Sequence, residues 1–135
     1  MANVLFDLGR EAFLDGLISW STMTIRAVLV DTTYYVPALT AHQWLSDISA
    51  SARVAISGPF DGKTVAAGVA GANNVTFTAV TGQTCQAIAI YRDTGTASTS
   101  RLIAWITNAV GLPVTPTGGD ITIQWDTGSN RIFRL

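Results

Sequence analysis

The sequence has one cysteine, one histidine and little charge, with Lys, Arg, Asp and Glu making up only 13% of its 135 residues. A lone Cys85 excludes an intrachain disulfide framework and a thiolate-based structural zinc site. No run of apolar residues is long enough to span a membrane, and Asp7, Arg10, Glu11 and Asp15 interrupt the first residues where a signal peptide would be apolar. Eight basic residues against nine acidic ones leave a net charge of −1, so there is no general positive field to draw in nucleic acid or an anionic membrane. Four prolines and twelve glycines rule out a low-complexity linker, and no solenoid-type repeat is present. What the chain does have is apolar content, 48% of its residues. That is enough for a single folded domain, 1–135, which removes roughly two-thirds of its unfolded surface from water. Charge at about half the usual quarter of residues points to surface that other subunits cover.

The first residues favour a helix. Asn3 is a candidate N-cap, Asp7 suits the positive end of the helix dipole, and Leu5, Leu8 and Ala12 recur at helical spacing before Gly16. This predicts a helix over 4–15 inside an N-terminal arm, 1–20, with the β domain over 21–135. Around residues 41–48, Ala41, Trp44, Leu45 and Ile48 follow Thr40 at i, i+3, i+4 and i+7, which predicts one or two helical turns.

The remainder reads as short β-branched runs divided by Gly, Asn and Asp. Strands are expected at Thr24–Val30, Arg53–Ser57, Thr64–Val69, Val75–Val80, Cys85–Arg92, Arg101–Thr107, Ile121–Trp125 and Arg131–Phe133. The fold class is therefore mainly β, an antiparallel, jelly-roll-like β-sandwich of about seven to eight strands. Ala87–Tyr91 is apolar on both faces, so it lies centrally, or its outer face is covered by the helix or by a neighbouring subunit. The stretch Leu112–Pro116 holds two prolines and belongs at an edge or a crossover.

Motifs that suggest chemistry have simpler readings as turns or core. Asp-Thr-Gly occurs at Asp93–Gly95 and again at Asp126–Gly128. Aspartic proteases need two such carboxylates sharing a proton across a two-fold axis, whereas both copies here fall where a hairpin turn is expected. Gly58–Thr64 ends in Gly-Lys-Thr, but its first glycine is one residue too close and Pro59 removes an N–H that a phosphate cradle needs. His42 has no carboxylate placed to orient it, and no Gly-x-Ser-x-Gly elbow exists. The carboxylates are scattered singly, so no metal or cofactor set is indicated. Of the four tryptophans, Trp44, Trp105 and Trp125 read as core and Trp20 as an anchor between helix and sheet, although an aromatic platform for a sugar is the competing reading.

Read end to end, the chain resembles a family of small structural proteins of tailed bacteriophages and prophages. The resemblance runs through Arg10–Gly16, Ile25–Asp31, Trp44–Ile48, Gly62–Val65, Asn74–Gly82, Ile90–Gly95, Thr99–Ala104, Gly111–Pro116 and Gly118–Ile121. It covers nearly the whole chain and brings no catalytic residue with it. It implies a virion protein made in the bacterial cytoplasm and carried on the head surface, a decoration or cement protein for the icosahedral shell. The implied partners are the major capsid protein and further copies of the chain, a trimer being favoured. A tail, baseplate or fibre component that touches host glycan is the alternative. A hydrolase with one Asp-Thr-Gly per subunit is the reading of a different class. Candidate interface residues are Val4, Leu5, Phe6, Leu8 and Phe13 of the arm and helix, Trp20, and the Tyr34, Tyr35 and Val36 loop. Arg131, Arg134 and Leu135 add a strand edge that a neighbour's sheet would extend.

Overall fold

Three six-residue runs, Ile25–Val30, Ala87–Arg92 and Arg101–Ile106, carry almost no polar side chains and form the longest strands. The computed structural model describes residues 4–125 and 131–135. In chain order its strands are β1 (Val4–Leu5), β2 (Ile25–Val30), β3 (Arg53–Ile56), β4 (Thr64–Ala66), β5 (Val69–Gly71) and β6 (Val75–Phe77). Then follow β7 (Ala87–Arg92), β8 (Arg101–Ile106), β9 (Ile121–Ile123) and β10 (Phe133–Arg134). One helix, α1 (Asp7–Leu14), and two 3-10 turns, Leu45–Asp47 and Ala97–Thr99, complete the described elements. The protein is mainly β, and every strand pairing is antiparallel.

The strands form a five-stranded sheet in the order β1-β8-β7-β2-β3, a three-stranded sheet β10-β5-β4 and a two-stranded sheet β6-β9. Alternation divides the large sheet's side chains between two cores. Ile25, Ala27, Leu29, Ile88, Ile90 and Ile106 face the small sheets and α1, meeting Phe77, Ile123, Phe133 and Ala12 in a sandwich-like arrangement. Val28, Val30, Ala87, Ala89, Tyr91 and Trp105 face the other way. There they are covered by Phe6 and by Tyr35, Leu45, Ile48 and Ala52 of the segment between β2 and β3. The outer face of β7 is thus closed by the chain's own residues. A register shift opposite Ile90 and Tyr91 leaves Ile103 as an extra residue in β8, so Ile103 and Ala104 point to the same core.

The helix begins at Asp7, later than the sequence suggests, because Val4 and Leu5 pair with Trp105 and Ala104 as an edge strand of the large sheet. Asn3 lies outside the described residues, and the N-cap is Phe6 without a side-chain cap. The first helical N–H is satisfied instead by a tertiary acceptor, Asp7 N donating to the Leu39 carbonyl at 2.9 Å. The end of the helix is the expected one. Gly16 adopts a φ of 75°, with its N–H bonded to Phe13 O at 3.1 Å and the Leu17 N–H bonded to Ala12 O at 2.8 Å, a Schellman stop.

Two further expectations are corrected. Thr64–Val69 is not one strand but the start of a hairpin, since Ala67 and Gly68 both have positive φ and form the two-residue turn between β4 and β5. The strand from Val75 stops at Phe77, before Ala79 at a φ of 50°. Around residues 41–48 the expected short helical turn is the 3-10 turn Leu45–Asp47, preceded by an isolated bridge between Trp44 and Arg101. The segment at Leu112–Pro116 lies where its prolines suggest, against the start of β7 through a single bridge between Val114 and Cys85.

Inside α1, Gly9 presses on the backbone of β8. A Cβ at that position would lie 2.6 Å from the Leu102 carbonyl oxygen and 3.1 Å from Ile103 Cα. A glycine that disfavours the isolated helix is therefore needed for the helix to dock. Gly9→Ala should destabilise the protein by about 2 kcal/mol, against the gain of about 1 kcal/mol that helix propensity alone would give. Urea unfolding measures this directly. A stabilised variant would mean that α1 does not touch β8 closely.

Candidate interaction site

The candidate interface residues separate into core and surface. Leu5, Phe6, Trp20 and Tyr35 are buried among the chain's own residues, and Phe6 is fully enclosed. They are corrected to core: β1 pairing draws Leu5 and Phe6 onto the sheet, the segment after β2 folds Tyr35 over its second face, and Trp20 packs edge-on against Phe60 and Phe133 in the first core. Val4, Leu8 and Phe13 are half-buried, whereas Tyr34 and Val36 are exposed. Arg131, Arg134 and Leu135 are exposed, and β10 is an edge strand bonded on one side to β5.

Three of these residues, Phe13, Trp20 and Leu135, come together around one apolar depression of about 270 Å³. Val65, Val69, Ala70 and Phe133 complete its apolar wall. The Trp20 ring stands edge-on to Phe133 at 5.2 Å, and its Nε1 donates to the Gly71 carbonyl at 3.1 Å, so the depression has a rigid floor. Val65 is 62% exposed on the outer strand of the small sheet. Leu14 and Leu17, next along from Phe13, are also exposed. Sequence reading missed Val65 because the hairpin that projects it was read as one strand.

The tryptophans are used internally. Trp125 donates to the Asn73 carbonyl at 3.1 Å, Trp105 packs beside Tyr35, and the half-buried Trp44 is stacked by Arg101 at 4.6 Å from its ring centre. Among the described residues, no two tryptophans share an exposed face of the kind a sugar platform needs.

The polar motifs serve as structure where they are described. Asp93 Oδ2 accepts from Arg26 Nε at 2.7 Å and its Oδ1 accepts from the Gly95 N–H at 2.8 Å, so the first Asp-Thr-Gly is a closed turn tied to β2. The second copy lies outside the described residues. Arg26 had a detectable signal, since a single charge within an apolar strand needs a partner. Lys63 donates to the Met23 carbonyl and is followed by β4, not by a phosphate-binding helix. His42 Nδ1 accepts from the Ala38 N–H at 3.2 Å, which makes the Tyr35 hydroxyl, 2.7 Å away, a second donor to the same nitrogen. Burial alone would raise the Asp47 carboxyl, but N–H bonds from Trp44 and Gln43, together with His42, hold it below its ordinary value. That carboxylate caps the 3-10 turn and does not bond to His42.

No metal-ligand group of three or more His, Cys, Asp or Glu exists among the described residues. Likewise, no helix among them is long and apolar enough to cross a membrane. Compared with known proteins, the chain matches no family model and no curated protein.

Cys85 is fully buried at the entry to β7, and its Sγ donates to the Gln83 carbonyl. Burial first, and the Asp31 charge second, push the thiol up to about 11 from an ordinary 9.0. A raised thiol pKa contributes stability that is complete below 9.0 and is lost as pH rises toward about 11, where the unfolded thiol ionises and the folded one resists. In mildly alkaline buffer a thiol reagent should leave the native protein unmodified and label it only on unfolding. Fast labelling of the folded chain would show Cys85 to be reachable.

Proposed function

We propose that this protein is a non-catalytic structural component of a tailed-phage particle, a decoration or cement protein on the outer surface of the icosahedral head. Its partners in this reading are the major capsid protein and copies of itself, with a trimer favoured. The observation that carries it is the apolar depression floored by the buried Trp20 and Phe133 and rimmed by Phe13, Val65 and Leu135. A rigid, exposed apolar site of that kind suits a protein partner, because aromatic and aliphatic anchors dominate interface energies. The family resemblance along nearly the whole chain supplies the kind of partner.

The mechanism is linkage. A protein that binds only the mature shell stabilises it in proportion to occupancy, and many symmetric copies multiply a small free energy per site. No bond is made or broken. Edge strands β4 and β10 flank the depression, so contact by strand addition at either edge would extend the same surface.

Quantitative mass spectrometry of purified particles tests the reading by the copy number of this chain relative to the major shell protein. A ratio near one is expected. A handful of copies per particle would move the protein to the tail, and absence from particles would end the reading. Val65→Asp should lower shell occupancy by about tenfold, through a charge placed in the contact, while leaving the unfolding midpoint nearly unchanged.

A further inference from the structure

A second depression, of about 350 Å³, lies on the opposite core's side of the large sheet, between β3, Tyr91 and the two 3-10 turns. Arg26, Arg53 and Asp93 supply its charge, and Leu45, Ile56 and Ala97 its apolar wall. Two of the three charges are committed. Arg26 is spent on Asp93 and on the Ser57 carbonyl, at 2.7 and 3.0 Å, and Asp93 is spent on Arg26 and the Gly95 N–H. The buried Ser100 is also satisfied, accepting from the Thr94 N–H and donating to the Thr96 carbonyl.

Arg53 is different. Among the described residues it forms no ion pair, and its Nε is enclosed without any hydrogen-bond acceptor, a condition shared by Arg92, which does not line the depression. Two guanidiniums and one carboxylate leave the depression with one surplus positive charge, carried by Arg53. Because the Nε is enclosed, an acceptor in the depression meets the outer part of the Arg53 guanidinium, a planar fork shaped for the paired oxygens of an oxyanion. The volume is that of a small-ligand site.

We propose that this depression binds a small oxyanion, a carboxylate or phosphate group, with Arg53 as the residue that recognises it. Asp93 stands on the same wall and would repel an anion, but its pairing with Arg26 neutralises it, and Arg53 decides the sign of the site. The group comes either from a free anion or from an acidic side chain of a protein partner.

Nuclear magnetic resonance of the full chain distinguishes these sources and tests the site. Acetate and inorganic phosphate, and separately a blocked Gly-Glu-Gly peptide, are titrated while the Arg53 Nε–H resonance and the Thr96 and Ala97 amides are followed. A saturable shift of the Nε–H and of the Thr96 and Ala97 amides with acetate or phosphate is expected, and loss of the amide shifts in Arg53→Met, with binding read at those amides weakened by about tenfold in Arg53→Lys, supports the site. Saturation by the peptide at about tenfold lower concentration than acetate identifies an acidic side chain as the natural source. No shift of the Nε–H, a shift that never saturates, or amide shifts that persist in Arg53→Met would overturn the proposal.

Discussion

A strand that is apolar on both faces has to be covered twice, and β7 imposes that requirement on the whole molecule. Ile88 and Ile90 look toward one core and Ala87, Ala89 and Tyr91 toward the other. Its neighbours β2 and β8 share the property, so the five-stranded sheet becomes the middle layer of the fold. Small sheets and α1 close the first face. Among the described residues the second face has no sheet to close it, and the long segment between β2 and β3 does so with Tyr35, Leu45, Ile48 and Ala52. Each fully buried Ile or Phe is worth roughly 1.5–3 kcal/mol of transfer free energy, which is why so irregular a segment stays in place.

Two-sided burial also accounts for much of the low charge. Positions that would be solvated in a two-layer sandwich are interior here, and the charges that remain near the sheet are tied down, as Arg26 is to Asp93. Low charge by itself is therefore a weaker sign of assembly than composition suggests. The case for a partner rests on place instead. Apolar side chains that the fold leaves outside gather where α1, the β4–β5 hairpin and the C-terminal strand meet around Phe13, Val65 and Leu135. Arg53 marks a separate surface of opposite character.

Much of the architecture was legible in the sequence because period and punctuation agreed. The apolar runs at 25–30, 87–92 and 101–106 are strands, Gly16 ends the helix, and the antiparallel β class follows from them. Features that depend on distant neighbours were not legible. Gly9 reads as a weak helix residue until Leu102 and Ile103 lie against it. Phe6 and Tyr35 read as surface anchors because nothing local says that the chain folds back over them. Ala67 hid the hairpin turn, since alanine rarely adopts a positive φ. Of the candidate site, Phe13, Trp20 and Leu135 were legible as apolar residues near the ends of the chain, but their meeting point was not.

The central claim is that the chain covers both faces of its large sheet without help. Native-state hydrogen exchange of the free protein tests it through the amides of β2, β7 and β8. The account predicts that these amides are the slowest to exchange, with a common opening free energy equal to that of global unfolding. Faster exchange of β7 in the free chain, slowed only when the protein is assembled with a partner, would contradict it and show that a neighbour completes the second core.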